Sequence, residues 1–210
     1  VVHGQAYVPI FSHAGALLFG PEEFTERYLA AKPYGSIQAF LGNESWDRPL
    51  DIDQRRDRHR FSLRDHLRKA ERYAEAYARA AGLAEADVLL VRTAARLHDA
   101  GKMENGLQSI TNVEAAERYL DQIRRLARED ERTIKRLIRH DELLGDLLQE
   151  VQAESVDGKT DAFSLSARGQ DLRDRLRRLF PDDRSRAMLL AVYRADVQAI
   201  DDGVSTAEWQ

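Results

Sequence analysis

Apolar residues recur every three or four positions along most of the chain, and this spacing predicts amphipathic α-helices. Alternation of apolar and polar residues, which is typical of strands, is scarce beyond short pieces such as residues 7–11. Ser62 is a candidate N-cap for the first long helix, and Gly82 is a candidate stop signal. The pattern therefore predicts an all-α fold, with helices over residues 62–82, 84–99, 112–128, 130–140, 142–152, 168–179 and 183–201.

The N-terminal part of the chain departs from this pattern. Residues 1–57 contain four of the five prolines, and they predict only short helices at 21–31 and 35–41. We interpret 1–57 as an N-terminal extension packed on a helical domain that covers 58–210. Phe40 is a candidate anchor between the two.

A second irregular stretch lies between two predicted helices. Residues 153–167 are rich in turn-forming side chains and predict a loop. Residues 157–160 resemble the end of a phosphate-binding loop, but Ala153 replaces its first glycine and no strand precedes it. We therefore do not predict a nucleotide-binding loop there.

Composition excludes several classes of site. The 210 residues include no cysteine, which excludes disulfides, cysteine-ligated zinc, iron–sulfur clusters and a thiol nucleophile. The 32 Lys and Arg residues nearly balance 36 Asp and Glu, so bulk charge does not indicate a nucleic-acid binder. No apolar run approaches the ~18 residues of a membrane span. We expect a cytoplasmic protein without a membrane partner.

Ionisable residues on the apolar faces of helices are the most informative feature. Four predicted helices each place a His or an Asp on that face: His66, His98, His140 and Asp196. A single core histidine is usually satisfied by a hydrogen bond, whereas burying an unpaired carboxylate costs several kcal/mol. Four such residues on four helices indicate a common partner, and a divalent metal ion is the simplest one.

The chemistry of such a cluster is that of a mixed nitrogen and oxygen site. Asp99 directly follows His98 at the helix end, so that two of the histidines can combine with Asp99 and Asp196. Two imidazoles with two carboxylates suit Mn²⁺, Fe²⁺, Co²⁺, Ni²⁺, Mg²⁺ or Zn²⁺. An ion of this kind activates water and polarises a phosphoryl oxygen. Because no single helix carries a metal-binding pair such as HExxH, the site has to be assembled across helices.

The order of these residues resembles that of the HD superfamily of metal-dependent phosphohydrolases. The matching segments are DHLRKAERYAEAYARAAGL around His66, ARLHDAGK over 95–102 and YRADVQAID around Asp196. The segments TNVEAAERYLDQIRRL and TIKRLIRHDELLGDLL look most like the HD modules of CCA-adding and poly(A)-polymerase type enzymes, and like free-standing HD hydrolases. The resemblance covers about 60–202 and implies an HD-type helical bundle, and it does not explain residues 1–57.

The resemblance implies a ligand set of His66, His98, Asp99 and Asp196 for the metal ion. His59 competes as the first ligand, but it lies in an arginine-rich segment before the predicted helix. Many relatives have a histidine where this chain has Asn112. This departure favours one ion, with two as the alternative.

Catalytic and substrate-binding roles are assigned less directly. Asp99 could orient or deprotonate the attacking water, and His140 aligns with an extra histidine that some members use for a second metal or for substrate. Lys102 could bind a phosphate oxygen, although a lysine at a helix end is also favoured by the helix dipole. Arg139 and Arg194 flank site residues and are candidate phosphate contacts, with a solvated surface position as the alternative.

We therefore expect a phosphohydrolase that cleaves a phosphomonoester or phosphodiester of a nucleotide or nucleotide-like molecule by a metal-activated water. One alternative is a non-catalytic regulatory module that binds a nucleotide or an RNA end. Another is a nuclease on single-stranded nucleic acid, for which the arginine run at 55–60 would be a basic patch, interrupted by Asp57. The expected partner is a small phosphorylated substrate, and a homo-oligomer is compatible with the sequence.

Overall fold

The computed structural model describes residues 34–43, 62–102, 110–156 and 167–200. Within these ranges the chain forms eight helices and no β-strand, so the predicted all-α class is confirmed. None of the described helices is long and apolar enough to cross a membrane. The helices are α1 (Ile37–Leu41), α2 (Leu63–Ala80), α3 (Glu85–Leu97), α4 (Asn112–Leu120), α5 (Arg128–Arg139), α6 (Asp141–Val156), α7 (Ala167–Leu179) and α8 (Asp183–Ile200).

Local signals set the start and the end of α2. The hydroxyl of Ser62 accepts a hydrogen bond from the backbone N–H of Asp65 at 3.2 Å, as its predicted role as N-cap requires. Gly82 follows the helix with a φ of 70°, a left-handed conformation that glycine adopts without steric cost. Helix α2 therefore ends near the predicted residue.

The predicted helix over 112–128 is wrong beyond Leu120, where α4 ends. The chain then turns and pairs with a distant segment, since Tyr34 donates to the carbonyl of Gln122 at 3.2 Å and accepts from Arg124 at 2.8 Å. Ile123 lies within this turn and is 2% exposed. Because Ile123 is buried, the apolar spacing of the sequence continues past Leu120, where the helix ends.

Helices α2, α3 and α8 form the centre of the bundle. Helix α3 contacts α1, α2, α4, α5 and α8, and α2 packs extensively along α8. Burial of a large aliphatic side chain contributes about 1.5–3 kcal/mol, so this centre is the main source of stability. Its fully buried aliphatic residues include Leu63, Leu67, Val91, Leu97 and Val192.

The described part of the N-terminal segment docks on this centre through Arg96. The guanidinium of Arg96 donates to the carbonyl oxygens of Phe40 at 2.9 Å and Leu41 at 2.8 Å, and to Oε2 of Glu71 at 2.6 Å. The ring of Phe40 is fully buried beneath it. The short helix α1 is thus fixed to α3, while the division at residue 57 stays a prediction.

Several predictions fall outside the described residues. They concern the piece at 7–11, the helix at 21–31, His59 with the arginine run at 55–60, and the segment 157–160. Helix α6 extends to Val156, so the prediction of a loop over 153–167 is wrong for residues 153–156, while 157–166 lie outside the described residues.

Candidate metal centre

Three side chains from the central helices converge at one point. Nε2 of His66 lies 3.2 Å from Nε2 of His98, and each lies close to Oδ1 of Asp196, at 3.1 and 3.0 Å respectively. His66 comes from the first turns of α2, His98 directly follows α3, and Asp196 lies near the end of α8. Three residues that the sequence places on separate helices therefore present one ligand atom each to a common point.

A backbone hydrogen bond fixes the orientation of the His98 ring. Its Nδ1 lies 2.8 Å from the carbonyl oxygen of Ala95, which can only accept, so Nδ1 carries the hydrogen. Nε2 is consequently the ring atom that faces His66 and Asp196. This arrangement, in which the second ring nitrogen donates to a backbone carbonyl, is common for histidines that bind metals.

The electrostatics of the site couple His98 to the carboxylates. Burial by itself lowers the pKa of His98, but the charges of Asp99 and Asp196 outweigh it and raise that pKa to about 10. Burial raises the pKa of Asp196, yet the charge of His98 and hydrogen bonds from both histidines hold it well below its usual value. His98 and these carboxylates therefore stabilise each other's charged forms.

The spacing of the three atoms suits a divalent ion. Metal–ligand bonds of about 2.1–2.2 Å in an octahedral site give neighbouring ligands separations of about 3.0–3.1 Å. The three measured separations are 3.0, 3.1 and 3.2 Å. The side chains thus fit one face of a coordination sphere, with nitrogen and oxygen donors that several divalent metals accept.

Asp99 lies at the edge of this cluster. Its Oδ2 is 3.6 Å from Nε2 of His98 and 3.8 Å from Nε2 of His66, and it also accepts from Nζ of Lys102 at 2.5 Å. The other oxygen faces the side-chain amide of Asn112 at 3.4 Å. Asp99 is close enough to act with the three converging residues, but its role as a fourth ligand remains a prediction.

Asn112 joins the cluster to the start of α4. Its side-chain oxygen accepts from the backbone N–H of Gly101 at 3.0 Å, while Thr111 and Glu114 form a reciprocal capping box around the same turn. A Cβ on Gly101 would overlap the carbonyl of Ile110 and would lie 2.9 Å from the Asn112 oxygen. The close approach of residues 110–112 to position 101 therefore requires a glycine at that position.

Asp141 is a further ionisable residue near the cluster, and the sequence pattern does not indicate it. Burial is the main reason that its pKa is raised to about 7; the nearby charges of Asp196 and Asp99 raise it further, and His98 opposes them. Asp141 begins α6, and its Oδ1 accepts from the N–H of Glu142 at 2.8 Å. It follows His140 in sequence, and the only signal that could have indicated it was its place in a second His-Asp pair.

The remaining candidate residues have other surroundings. The ring of His140 packs edge-on against Phe180 at 6.1 Å, and burial together with the charges of Arg175, Arg139 and Arg136 lowers its pKa. Its ring is not among the ligand atoms that converge within the described residues. The guanidinium of Arg194 lies over the ring of Tyr77 at 5.9 Å.

A groove adjoins the cluster between the start of α4 and the junction of α5 with α6. It encloses about 480 Å³, and its walls include Asn112, Arg139, Asp141 and Glu142. Asn112 also contacts Asp99. The groove therefore gives space for a ligand next to Asn112, one residue removed from the cluster through Asp99.

Comparison with known families agrees with this arrangement. The HD domain family model matches residues 63–180, which is more than half of the chain, and the chain therefore belongs to the HD domain family. Asp196 lies beyond the matched range, and the packing of α8 brings it to the site. No curated protein and no solved structure matches the chain significantly, so the closer likeness to CCA-adding enzymes stays a prediction.

Proposed function

We propose that the protein is a metal-dependent phosphohydrolase that cleaves a phosphomonoester or phosphodiester of a nucleotide or nucleotide-like substrate. The observation that carries this proposal is the convergence of His66, His98 and Asp196, whose ligand atoms lie within 3.2 Å of one another. Membership of the HD domain family supports it, because this family is associated with hydrolysis at such ions.

His66, His98 and Asp196 would hold the ion, with Asp99 beside them. When bound, a divalent ion lowers the pKa of water and neutralises charge on a phosphoryl oxygen. Position 112 carries an asparagine rather than a histidine, which supports one ion rather than two. The donor set suits Mn²⁺, Fe²⁺, Co²⁺, Ni²⁺, Mg²⁺ or Zn²⁺.

The side chains around this point can carry the rest of the reaction. Asp99 would orient the attacking water and accept its proton as the new oxygen–phosphorus bond forms. The ester bond breaks with its electron pair on the leaving oxygen, which takes up a proton from solvent and departs as the alcohol. Lys102, whose Nζ lies 2.5 Å from Oδ2 of Asp99, can donate to a phosphate oxygen. Arg139, exposed on the wall of the groove, is a second candidate contact for phosphate.

A panel of phosphate esters tests the proposal. The protein is stripped of metal and reloaded with each of the six divalent ions, and phosphate release is measured. We expect turnover with at least one ion, and we expect His98→Ala to lower both ion affinity and activity by more than about 100-fold. His59→Ala is the matched control. His59 is the alternative to His66 as first ligand, and because the proposal assigns that place to His66, this change should leave ion affinity and activity unchanged. Full activity in the His98→Ala protein would contradict the assignment.

A second candidate function is a module that binds a nucleotide without hydrolysing it. It is favoured by the partners of Asp99, since Lys102 and Asn112 hold its two oxygens. Nucleotide binding at the ion site with no turnover under any of the six ions would favour this function over hydrolysis.

A further inference from the structure

The groove beside the ion site is rich in carboxylates. Glu114, Glu117, Asp141 and Glu142 line it, whereas Arg139 is the one cation among its lining residues in the described part of the chain. Asn112 lines this groove and also contacts Asp99, so the groove offers room for the rest of an ester whose phosphate is bound at the ion site. The charge of the groove then acts directly on that remainder.

Not all of these carboxylates are equally available. Glu117 forms an ion pair with Lys135 of α5, which offsets its charge. Glu114 accepts two hydrogen bonds from Thr111, at 2.9 and 2.7 Å, and these lower its pKa so that it stays ionised. The carboxylate of Glu142 is exposed and forms no ion pair with any other described residue. Asp141 is only partly ionised near neutral pH, because its pKa is raised to about 7. Glu114 and Glu142 alone still outnumber Arg139, so an excess of negative charge remains in the groove.

We propose that this groove binds the organic part of the phosphate ester and selects an uncharged or cationic group over an anionic one. The inference rests on the proposed binding of a phosphate ester at the ion site. It identifies the substrate class as an ester whose organic part carries hydroxyl or amino groups rather than further phosphates. It also argues against a single nucleic-acid strand as the substrate, because each added phosphate would face the same carboxylates.

Three matched aryl esters isolate this effect. They are phenyl phosphate, its 4-aminomethyl derivative and its 4-carboxy derivative. The three differ in the charge at the 4-position of the ring, which lies too far from the phosphate to contact the ion bound there. Each is titrated by calorimetry into Mn²⁺-loaded protein at low ionic strength. We expect the carboxy ester to bind at least about fivefold more weakly than phenyl phosphate, and the difference to shrink in high salt.

Two variants on α6 assign the effect to the groove. In Glu142→Lys the difference between the carboxy ester and phenyl phosphate should fall to within about twofold, because the charge on the wall is reversed. Asp146→Lys makes the same change on the same helix at an exposed residue that does not line the groove, and it should preserve the difference. Melting temperatures of both variants verify that they are folded.

Equal binding of the three esters, binding of none, or an unchanged preference in Glu142→Lys would overturn the inference. Tight, salt-sensitive binding of a single-stranded oligothymidylate would also overturn it. Turnover of the same esters is recorded separately. A charge preference without any turnover would support the groove assignment while contradicting the proposed hydrolysis.

Discussion

His98 and Asp196 lie 98 residues apart in the chain, yet Nε2 of the first is 3.0 Å from Oδ1 of the second. At the opposite ends of the same two helices, Arg184 donates to Asp87 with two hydrogen bonds, one of them at 2.7 Å. Residues 87–98 and residues 184–196 separate the two contacts along the two helices. At 1.5 Å per residue these segments have nearly equal lengths, about 17 and 18 Å. Helices α3 and α8 therefore run parallel and in register, which places Asp196 at the site.

The contact between Asp87 and Arg184 is expected to stabilise the fold. Asp87 is 3% exposed, so Arg184→Ala leaves a buried carboxylate without its ion-pair partner. We expect a loss of about 2 kcal/mol in the free energy of unfolding, since the partly exposed arginine is not fully desolvated. Arg132→Ala is the control, because its pair with Glu129 is exposed and should contribute less than about 0.5 kcal/mol. Urea denaturation measures both, and equal losses would argue against this role.

Gly101 is expected to tolerate no side chain. In Gly101→Ala the new Cβ would overlap the carbonyl of Ile110 and press on Asn112, so the segment before α4 has to move away. We predict a destabilisation of about 1–3 kcal/mol together with reduced phosphate release, because the contact of Asn112 with Asp99 is disturbed. Gly35→Ala is the matched change, since a Cβ there meets nothing within 4 Å. A Gly101→Ala protein as stable and active as the Gly35→Ala protein would refute the prediction.

The affinity for a divalent ion should increase with pH. Because the neighbouring carboxylates raise the pKa of His98 to about 10, its Nε2 carries a proton at pH 7 that a ligated ion must displace. We expect about one proton to be released per ion and the affinity to rise about tenfold per pH unit between about pH 6.5 and 8. Calorimetric titrations with Mn²⁺ in buffers of different ionisation enthalpy count these protons. An ion affinity independent of pH would contradict the claim that the ion displaces a proton from His98.

The same shift affects the stability of the metal-free protein. The folded state binds the His98 proton more tightly than the unfolded chain does, so this contribution is complete below the ordinary pKa of 6.5 and declines as pH rises toward about 10. Thermal unfolding of the metal-free protein across this range measures the decline. A stability that increases over the same interval would show that the proton on His98 is not stabilising.

The ionisable positions of the cluster could be predicted from sequence, because His66, His98 and Asp196 interrupt apolar faces where solvated residues are not expected. Asp141 could not, since it begins a helix and no periodicity marks the direction of such a side chain. The end of α4 could not be predicted either, because Ile123 pairs with Tyr34, a partner far away in the chain. In both cases the decisive contacts are tertiary.

A crystal structure of the protein soaked with Mn²⁺, with an anomalous difference map, tests the central claim most directly. The account predicts one strong peak per chain within about 2.3 Å of Nε2 of His66, Nε2 of His98 and Oδ1 of Asp196. A Mn²⁺-saturated crystal with no peak between these three atoms, or with its peak at another group of residues, would contradict it.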